Sequence, residues 1–322
     1  MSDHDPRPPA SLVTVTLNPA LDVSTSVEVV VPDHKLRCER ATREPGGGGV
    51  NVARVASRLG VSVRAVVVAG GASGEQVIDL AAGEGLPMTP IRVAGETRQS
   101  LSVTERSSGR QYRFVLPGPS VGAEVVDAVG VALDADPSIG CVVFSGSLPP
   151  GLAAEALVAL VGSVIAAPVI VDTSGPALQH ALGTAATVIK PSARELAAVV
   201  GRQLLTETDV LTAAEEVLDS SSVGALLVSI GAGGAFLLRS DEPTVRLRPP
   251  TVQVASAVGA GDSMVGGLAT GLCQGQDLLS AAKLGIAAGS AAVMTPGSGL
   301  CTASVVEELL PLVTVGSPTL VT

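Results

Sequence analysis

Between residues 123 and 230 the sequence alternates apolar helical stretches with short apolar strands, and this rhythm constrains the fold more than any other feature. Helices are expected at 123–133, 153–161, near Ala177, at 194–200 and at 213–218, and strands at 141–144, 169–171, 187–189 and 225–230. Repeated switching between these two periods builds a parallel sheet with helices on both faces. A strand at 12–17, a helix at 50–59 and a strand at 63–69 extend the pattern towards the N-terminus. Helices at 261–273, 277–293 and 303–310 close it. Two stretches break the rhythm. Residues 23–31 and 35–43 read as exposed strands, and 97–104 and 111–116 flank a Ser107-Ser108-Gly109 hairpin turn. The expected organisation is a disordered tail (1–11), an α/β core (12–22, 48–90 and 116–316) and two insertions (23–47 and 91–115) that pair into one small β-sheet lid. In such folds ligands bind beyond the carboxyl ends of the strands, where the lid would lie.

Composition narrows the chemistry. The 322 residues carry a net charge of −10 and an aromatic content of 1%. An acidic chain with almost no stacking platforms is a poor nucleic-acid binder. The four cysteines have neither CxxC spacing nor neighbouring histidines, so no zinc site or disulfide framework is expected. The polar, proline-rich start lacks an apolar signal core, and Gly162 and Pro168 interrupt the nearly uncharged stretch 152–171. No membrane span is expected, and the reading is a cytoplasmic protein.

Five features could carry chemistry. In Val258-Gly259-Ala260-Gly261-Asp262-Ser263, small residues precede an acid at the start of an apolar helix. Free amides at a helix start hold negative charge, and small residues let an anion approach them. An aspartate there suits a base that takes a proton from a nucleophile beside that anion hole; otherwise it is an ordinary first-turn acid. The run Gly46-Gly47-Gly48-Gly49 enters a helix bearing Asn51 and Arg54, which suits a hydroxyl-rich or phosphorylated ligand or forms a tight turn. Lys190-Pro191-Ser192-Ala193-Arg194-Glu195 follows a strand. Lys190 could reach a nucleotide phosphate and Glu195 a water on Mg²⁺; otherwise Ser192 simply caps a helix. Lys35, Arg98 and Arg113 lie on the insertions, where an arginine fork and a lysine suit a phosphate dianion or solvent. Ser147, after a buried strand, could hydrogen-bond a substrate, but without a GxSxG elbow or a histidine partner it is a poor nucleophile. There is no P-loop, and Gly231-Ala232-Gly233-Gly234 lacks the dinucleotide spacing.

Taken together, these motifs resemble the PfkB (ribokinase-like) family of sugar kinases from about Leu12 to Leu310. The resemblance rests on Gly-Gly-Val-Asn51-Val-Ala-Arg and Gly259-Ala260-Gly261-Asp262, with Lys35-Leu36-Arg37-Cys38, the segment 111–118 and Ser145-Gly146-Ser147-Leu148-Pro149-Pro150 in support. It implies a three-layer α/β/α sandwich with a mostly parallel central sheet and a β-sheet lid. It also implies phosphorylation of fructose 6-phosphate by ATP, with tagatose 6-phosphate or fructose 1-phosphate as rival acceptors. A sensor that binds sugar phosphate without turnover is the alternative outside catalysis.

By position, the resemblance implies that Asp262 is the base and that Gly259, Ala260 and Gly261 form the anion hole. Asp22, Gly47, Gly48 and Asn51 would hold sugar hydroxyls; Lys35, Arg98, Arg113 and Ser147 would take the phosphate. Lys190, Ser192, Glu195, Ser229, Gly231, Gly234 and Ser290 would serve ATP and Mg²⁺. Carbonyls around Ser256, Val258, Ala292, Thr295, Gly297 and Gly299 would hold K⁺. A homodimer joined through the lid is implied as well. The chain departs from the family at Ser192, where asparagine is usual, and at Thr295 and Gly299, where the branch has asparagine and arginine. Its glycine loop also lacks the lysine common in the rival branches.

Overall fold

The computed structural model describes residues 10–135, 138–295, 297 and 299–318. The chain begins with β1 (Ser11–Thr16), β2 (Ala20–Val27), β3 (Thr42–Gly46), α1 (Gly48–Arg58), β4 (Val63–Ala69), α2 (Gly71–Gly83), β5 (Met88–Arg92), β6 (Arg98–Glu105) and β7 (Gln111–Val115). The regular alternation follows: α3 (Glu124–Asp134), β8 (Ile139–Ser145), α4 (Glu155–Ser163), β9 (Val169–Asp172), α5 (Pro176–Ala181), β10 (Val188–Ile189), α6 (Ala193–Val200), α7 (Glu207–Asp219) and β11 (Leu226–Ser229). The chain continues through β12 (Ala235–Arg239), β13 (Glu242–Arg248), α8 (Ala260–Cys273), α9 (Leu278–Val293), α10 (Ala303–Leu309) and β14 (Thr314–Gly316).

The large sheet has the order β14-β13-β12-β11-β10-β9-β8-β1-β4-β5. Its strands run parallel from β11 to β5, with β12, β13 and β14 antiparallel at one edge. β1 lies near the middle, and its residues alternate between the two faces. Leu12 packs into the layer of α1, α8, α9 and α10, whereas Val13 and Val15 pack into the layer of α3 to α7. This is the expected mostly parallel, three-layered α/β architecture. With few aromatics the core is built from small aliphatic side chains, so its helices can approach closely. The seam between α8 and α9 is the extreme case. A Cβ on Gly267 would lie 2.6 Å from Leu284 O, and one on Gly285 would lie 2.7 Å from Met264 O.

The two insertions do meet. β3-β2-β6-β7 form a separate small sheet, with β2 and β6 parallel and the outer pairs antiparallel. Its limits differ from those expected. β2 begins at Ala20, so Asp22 belongs to the small sheet, whereas β5 edges the large one. The expected strand at 35–43 is mostly absent, because only β3 pairs with β2. Residues 35–41 are mostly exposed, with only Leu36 and Ala41 half-buried. They are tied back through Glu39 N to Ser26 O at 2.9 Å and Thr25 Oγ1 to Glu39 O at 2.9 Å. Ser11 belongs to β1 rather than to a tail, and the rest of the expected tail, apart from exposed Ala10, lies outside the described residues.

Candidate active site

The first turn of α8 lies at the carboxyl ends of the central strands. Its cap, Gly259, takes a left-handed φ of 78°, which favours glycine. Asp262 is on this turn, and its Oδ2 accepts a hydrogen bond from Asn51 Nδ2 at 2.8 Å. Packing of α1 against α8 makes this contact possible, since Gly266 leaves room for Val55 and Val52 O. Burial pushes the Asp262 carboxyl up to about 6, helped by the charges of Asp172 and Asp22 and opposed by Asn51 and Lys190. Such a group is mostly ionised at neutral pH yet more basic than a free aspartate, which suits proton transfer.

A polar cavity of about 270 Å³ opens on one side of this turn, lined by Asp22, Glu44, Asn51, Arg54, Arg113, Val258, Gly259 and Asp262. Burial raises the pKa of Asp22, while Arg98 and Arg113 pull it down. Arg98 sits beside Asp22 and donates from Nε to Asn18 O at 3.2 Å. Gly47, the α1 cap, has a φ of 107°. Gly48 presses on the end of β8, where a Cβ would meet Ser145 Oγ at 2.4 Å. The glycine run is therefore required by packing, whatever its amides bind. Ser147 is exposed on the loop after β8 and accepts from Asn18 Nδ2 at 3.1 Å; like Arg98, it is not among the residues lining this cavity. Lys35 is exposed on the segment between β2 and β3 and is not among the cavity-lining residues.

Arg54 and Glu44 were not singled out as site residues from sequence. Arg54 is buried and gives Nε and Nη2 to the two Glu84 oxygens at 2.8 and 2.7 Å and Nη2 to Glu44 Oε1 at 3.1 Å. It also reaches Pro45 O from Nη1 at 3.4 Å, which fixes the entry to the glycine run. The sequence signal was an arginine on the apolar face of a short helix.

On the other side of the same turn lies an apolar cavity of about 530 Å³. Ala260 and Gly261 form its inner end, and its walls include Pro249, Val252, Ile286 and Val293. Ser229, Gly231, Gly234 and Ser290 all line it. The Ser290 hydroxyl donates to Ile286 O at 2.7 Å, so its proton is committed within α9.

The Lys190 segment carries an ion pair and a helix cap. Lys190 Nζ lies 3.1 Å from Asp172 Oδ1; the lysine is buried and the Asp172 side chain is 14% exposed. A buried ammonium needs such a counter-ion. Its charge is therefore already paired, although Nζ still faces the α8 turn beside Gly261. Asp172 is a site residue that the sequence did not reveal, since it looks like the polar end of any buried strand. Ser192 and Glu195 form a reciprocal capping box: Ser192 Oγ accepts from Glu195 N, and Glu195 Oε2 accepts from Ser192 N at 2.7 Å. The cap is therefore formed, and neither residue lines the apolar cavity.

The segments named for K⁺ lie side by side beyond the end of α9. Ser256 N donates to Val293 O at 3.1 Å, Ser256 Oγ to Gly297 O at 2.7 Å, and Thr295 N to Ala292 O at 3.0 Å. These are main-chain and hydroxyl oxygens at a helix C-terminus, a hard, weakly charged donor set that fits a monovalent cation. Among the described residues no group of three His, Cys, Asp or Glu side chains could hold a metal. No described helix is long and apolar enough to cross a membrane.

The sequence profile described as pfkB family carbohydrate kinase matches residues 16–304. The ATP-dependent 6-phosphofructokinase isozyme 2 of Mycobacterium tuberculosis is 42% identical over 94% of this chain and 89% of its own. Isozyme 2 of Escherichia coli is 40% identical over 90% of this chain and 94% of its own. The structure of that Escherichia coli phosphofructokinase-2 with potassium superposes with a TM-score of 0.88 at 38% identity, covering 94% of this chain and 99% of the other. Its complex with fructose 6-phosphate superposes at 0.86 and 37% identity with the same coverage. The 1-phosphofructokinase of Rhodobacter capsulatus is 35% identical over 86% of this chain and 88% of its own.

Proposed function

The chain belongs to the pfkB family of carbohydrate kinases, and on that premise we propose that it transfers the γ-phosphoryl group of ATP to the 1-hydroxyl of fructose 6-phosphate, giving fructose 1,6-bisphosphate. One observation carries this reading. The first turn of α8 is shared by two cavities of opposite character, with Gly259 and Asp262 facing the polar one and Ala260 and Gly261 the apolar one. A sugar phosphate suits the first and a nucleotide base and ribose the second, so the reacting groups meet at the helix start.

In this reading Asp262 takes the proton of the attacking hydroxyl, and Asn51 holds its carboxylate in place. The amides of Gly259, Ala260 and Gly261 face the charge that spreads over the transferred group, where stabilisation matters most in a loose transition state. Asp22, Gly47, Gly48 and Asn51 hold sugar hydroxyls; Arg98, Arg113 and Ser147 hold the phosphate already present. Lys35 would add a further positive charge from the segment between β2 and β3. Lys190 adds positive charge next to the anion hole, and Asp172 keeps it ionised there. Asp172 and the second oxygen of Glu195 would hold Mg²⁺ through water, and the ion would supply positive charge to the nucleotide phosphates. K⁺ would sit among the carbonyls near Ser256, Val258, Ala292, Thr295, Gly297 and Gly299, bracing the loop that leads into α8.

The small sheet covers the polar cavity and would exclude water as a competing acceptor. A cross-strand row, Val23, Leu101 and Phe114, gives its outer face apolar character, with Phe114 54% exposed. A homodimer joined through this face would cover it. The proposed compartment is the cytoplasm.

A coupled ADP-release assay with fructose 6-phosphate, tagatose 6-phosphate and fructose 1-phosphate tests the acceptor. Preference for fructose 6-phosphate supports the reading, and preference for either other sugar overturns it. The 1-phosphofructokinase relative keeps fructose 1-phosphate as the second candidate. Tight sugar-phosphate binding without ADP release would show a sensor instead.

A further inference from the structure

We propose that Asn18 is a positioning residue that turns the Ser147 hydroxyl into a donor for the sugar phosphate and ties it to the strand carrying Arg98. The proposal rests on the reading of the polar cavity as the sugar-phosphate site. Asn18 lies in the turn between β1 and β2 and is only 8% exposed. Its side-chain amide donates to Ser147 Oγ at 3.1 Å and to Leu148 O at 3.3 Å. A carbonyl can only accept, so Leu148 O fixes the amide with its nitrogen towards this loop. The Asn18 main-chain carbonyl accepts from Arg98 Nε at 3.2 Å. Its Oδ1 abuts Gly118, just past β7, where a Cβ would come within 2.3 Å of it. One buried residue thus touches the loop after β8, the start of β6 and the exit from β7.

The direction of the hydrogen bond is what matters. A serine hydroxyl has one proton and two lone pairs. Because Asn18 donates, it occupies a lone pair of Ser147 and leaves the proton free for an anionic oxygen. An aspartate of the same shape would accept instead, drawing that proton away and setting a carboxylate against Leu148 O. Part of the cost of that exchange is burial of a charge, so the double variant with Ser147, rather than Asn18→Asp alone, separates positioning from packing.

The test uses the full chain and fructose 6-phosphate as the probe, comparing wild type with Asn18→Ala, Asn18→Asp, Ser147→Ala and the Asn18→Ala/Ser147→Ala double variant. Steady-state kinetics gives KM and kcat, and calorimetry gives Kd for fructose 6-phosphate. Asn18→Ala is expected to raise both KM and Kd for the sugar about five- to tenfold, the scale of one lost hydrogen bond to a charged ligand. Asn18→Asp raises them further, and KM for ATP stays within about twofold, showing an intact fold. The double variant matches Ser147→Ala alone, because Asn18 acts through Ser147. Effects that multiply, or an Asn18→Asp variant with wild-type affinity, overturn the proposal. If wild type binds fructose 6-phosphate without releasing ADP, the kinase reading fails, while the same cycle in Kd still decides the role of Asn18. If wild type does not bind it, both fall.

Discussion

Asn51 and Asp262 are separated by 211 positions in the chain, yet Asn51 Nδ2 donates to Asp262 Oδ2 at 2.8 Å. The contact joins the helix after the glycine run to the helix after the second glycine motif, so the two signatures of the sequence form one site. It also leaves Asp262 one oxygen free to face the cavity.

Replacing Asp262 with asparagine removes the base and keeps the shape. Turnover is expected to fall by roughly two to four powers of ten, with little change in KM for the sugar phosphate. Steady-state kinetics checks this. An equal loss of affinity without loss of turnover would contradict the assignment.

The elevated pKa of Asp262 predicts a pH profile and a stability effect. As a base it must be ionised, so kcat/KM should fall below a pH of about 6. Asn51→Leu removes a bond that favours the ionised form, and the acid limb should move to higher pH. The folded protein holds this proton more tightly than the unfolded chain, in which the group titrates near 3.8. Its contribution to stability is therefore fully present below 3.8 and declines as pH rises towards about 6. Above that the ionised group destabilises the fold, so Asp262→Asn should raise the melting temperature at pH 7.5, by the equivalent of about 1–3 kcal/mol. Thermal denaturation of an inactive but more stable variant would bear this out.

Arg98→Ala should raise KM for the sugar phosphate about tenfold or more and leave KM for ATP nearly unchanged. Because Arg98 also lowers the pKa of Asp22, part of that loss should be recovered at higher pH, where Asp22 ionises without help. Normal sugar affinity would remove Arg98 from the site.

Lys190→Met leaves Asp172 buried without its partner. A loss of about 3–5 kcal/mol in urea denaturation is expected. Asp172→Asn/Lys190→Met, which removes both charges, should recover part of it. Failure of the double variant to recover would mean that the pair is not coupled.

Ser192→Ala removes a helix cap and should cost about 1 kcal/mol, whereas Ser192→Asn keeps a capping oxygen and should cost less. Denaturant titration of the two variants separates capping from nucleotide contact, which would appear in KM for ATP.

The fold was legible because helix and strand periods alternate plainly, and because the glycine motifs fall where a strand gives way to a helix. That Asp262, Asn51 and the small residues before Asp262 meet at one turn was legible for the same reason, since each belongs to a local pattern. Asp172 could not, since its importance comes from facing Lys190 across neighbouring strands. Arg54 and Glu44 were hidden for a similar reason, as their geometry depends on Glu84 at the far end of another helix. The Ser192-Glu195 box shows the opposite difficulty. Its spacing suits both a cap and a metal-water contact, and only the observed hydrogen bonds show that the cap is formed.

The glycine seam between α8 and α9 has a consequence for how such a chain can change over generations. Where main chain meets main chain at Gly267 and Gly285, no larger residue can be admitted unless the opposite helix retreats. Retreat would carry the first turn of α8 with it, and with it both halves of the site. A side chain added at either glycine would therefore disturb the sugar side and the nucleotide side together, however far it lies from both.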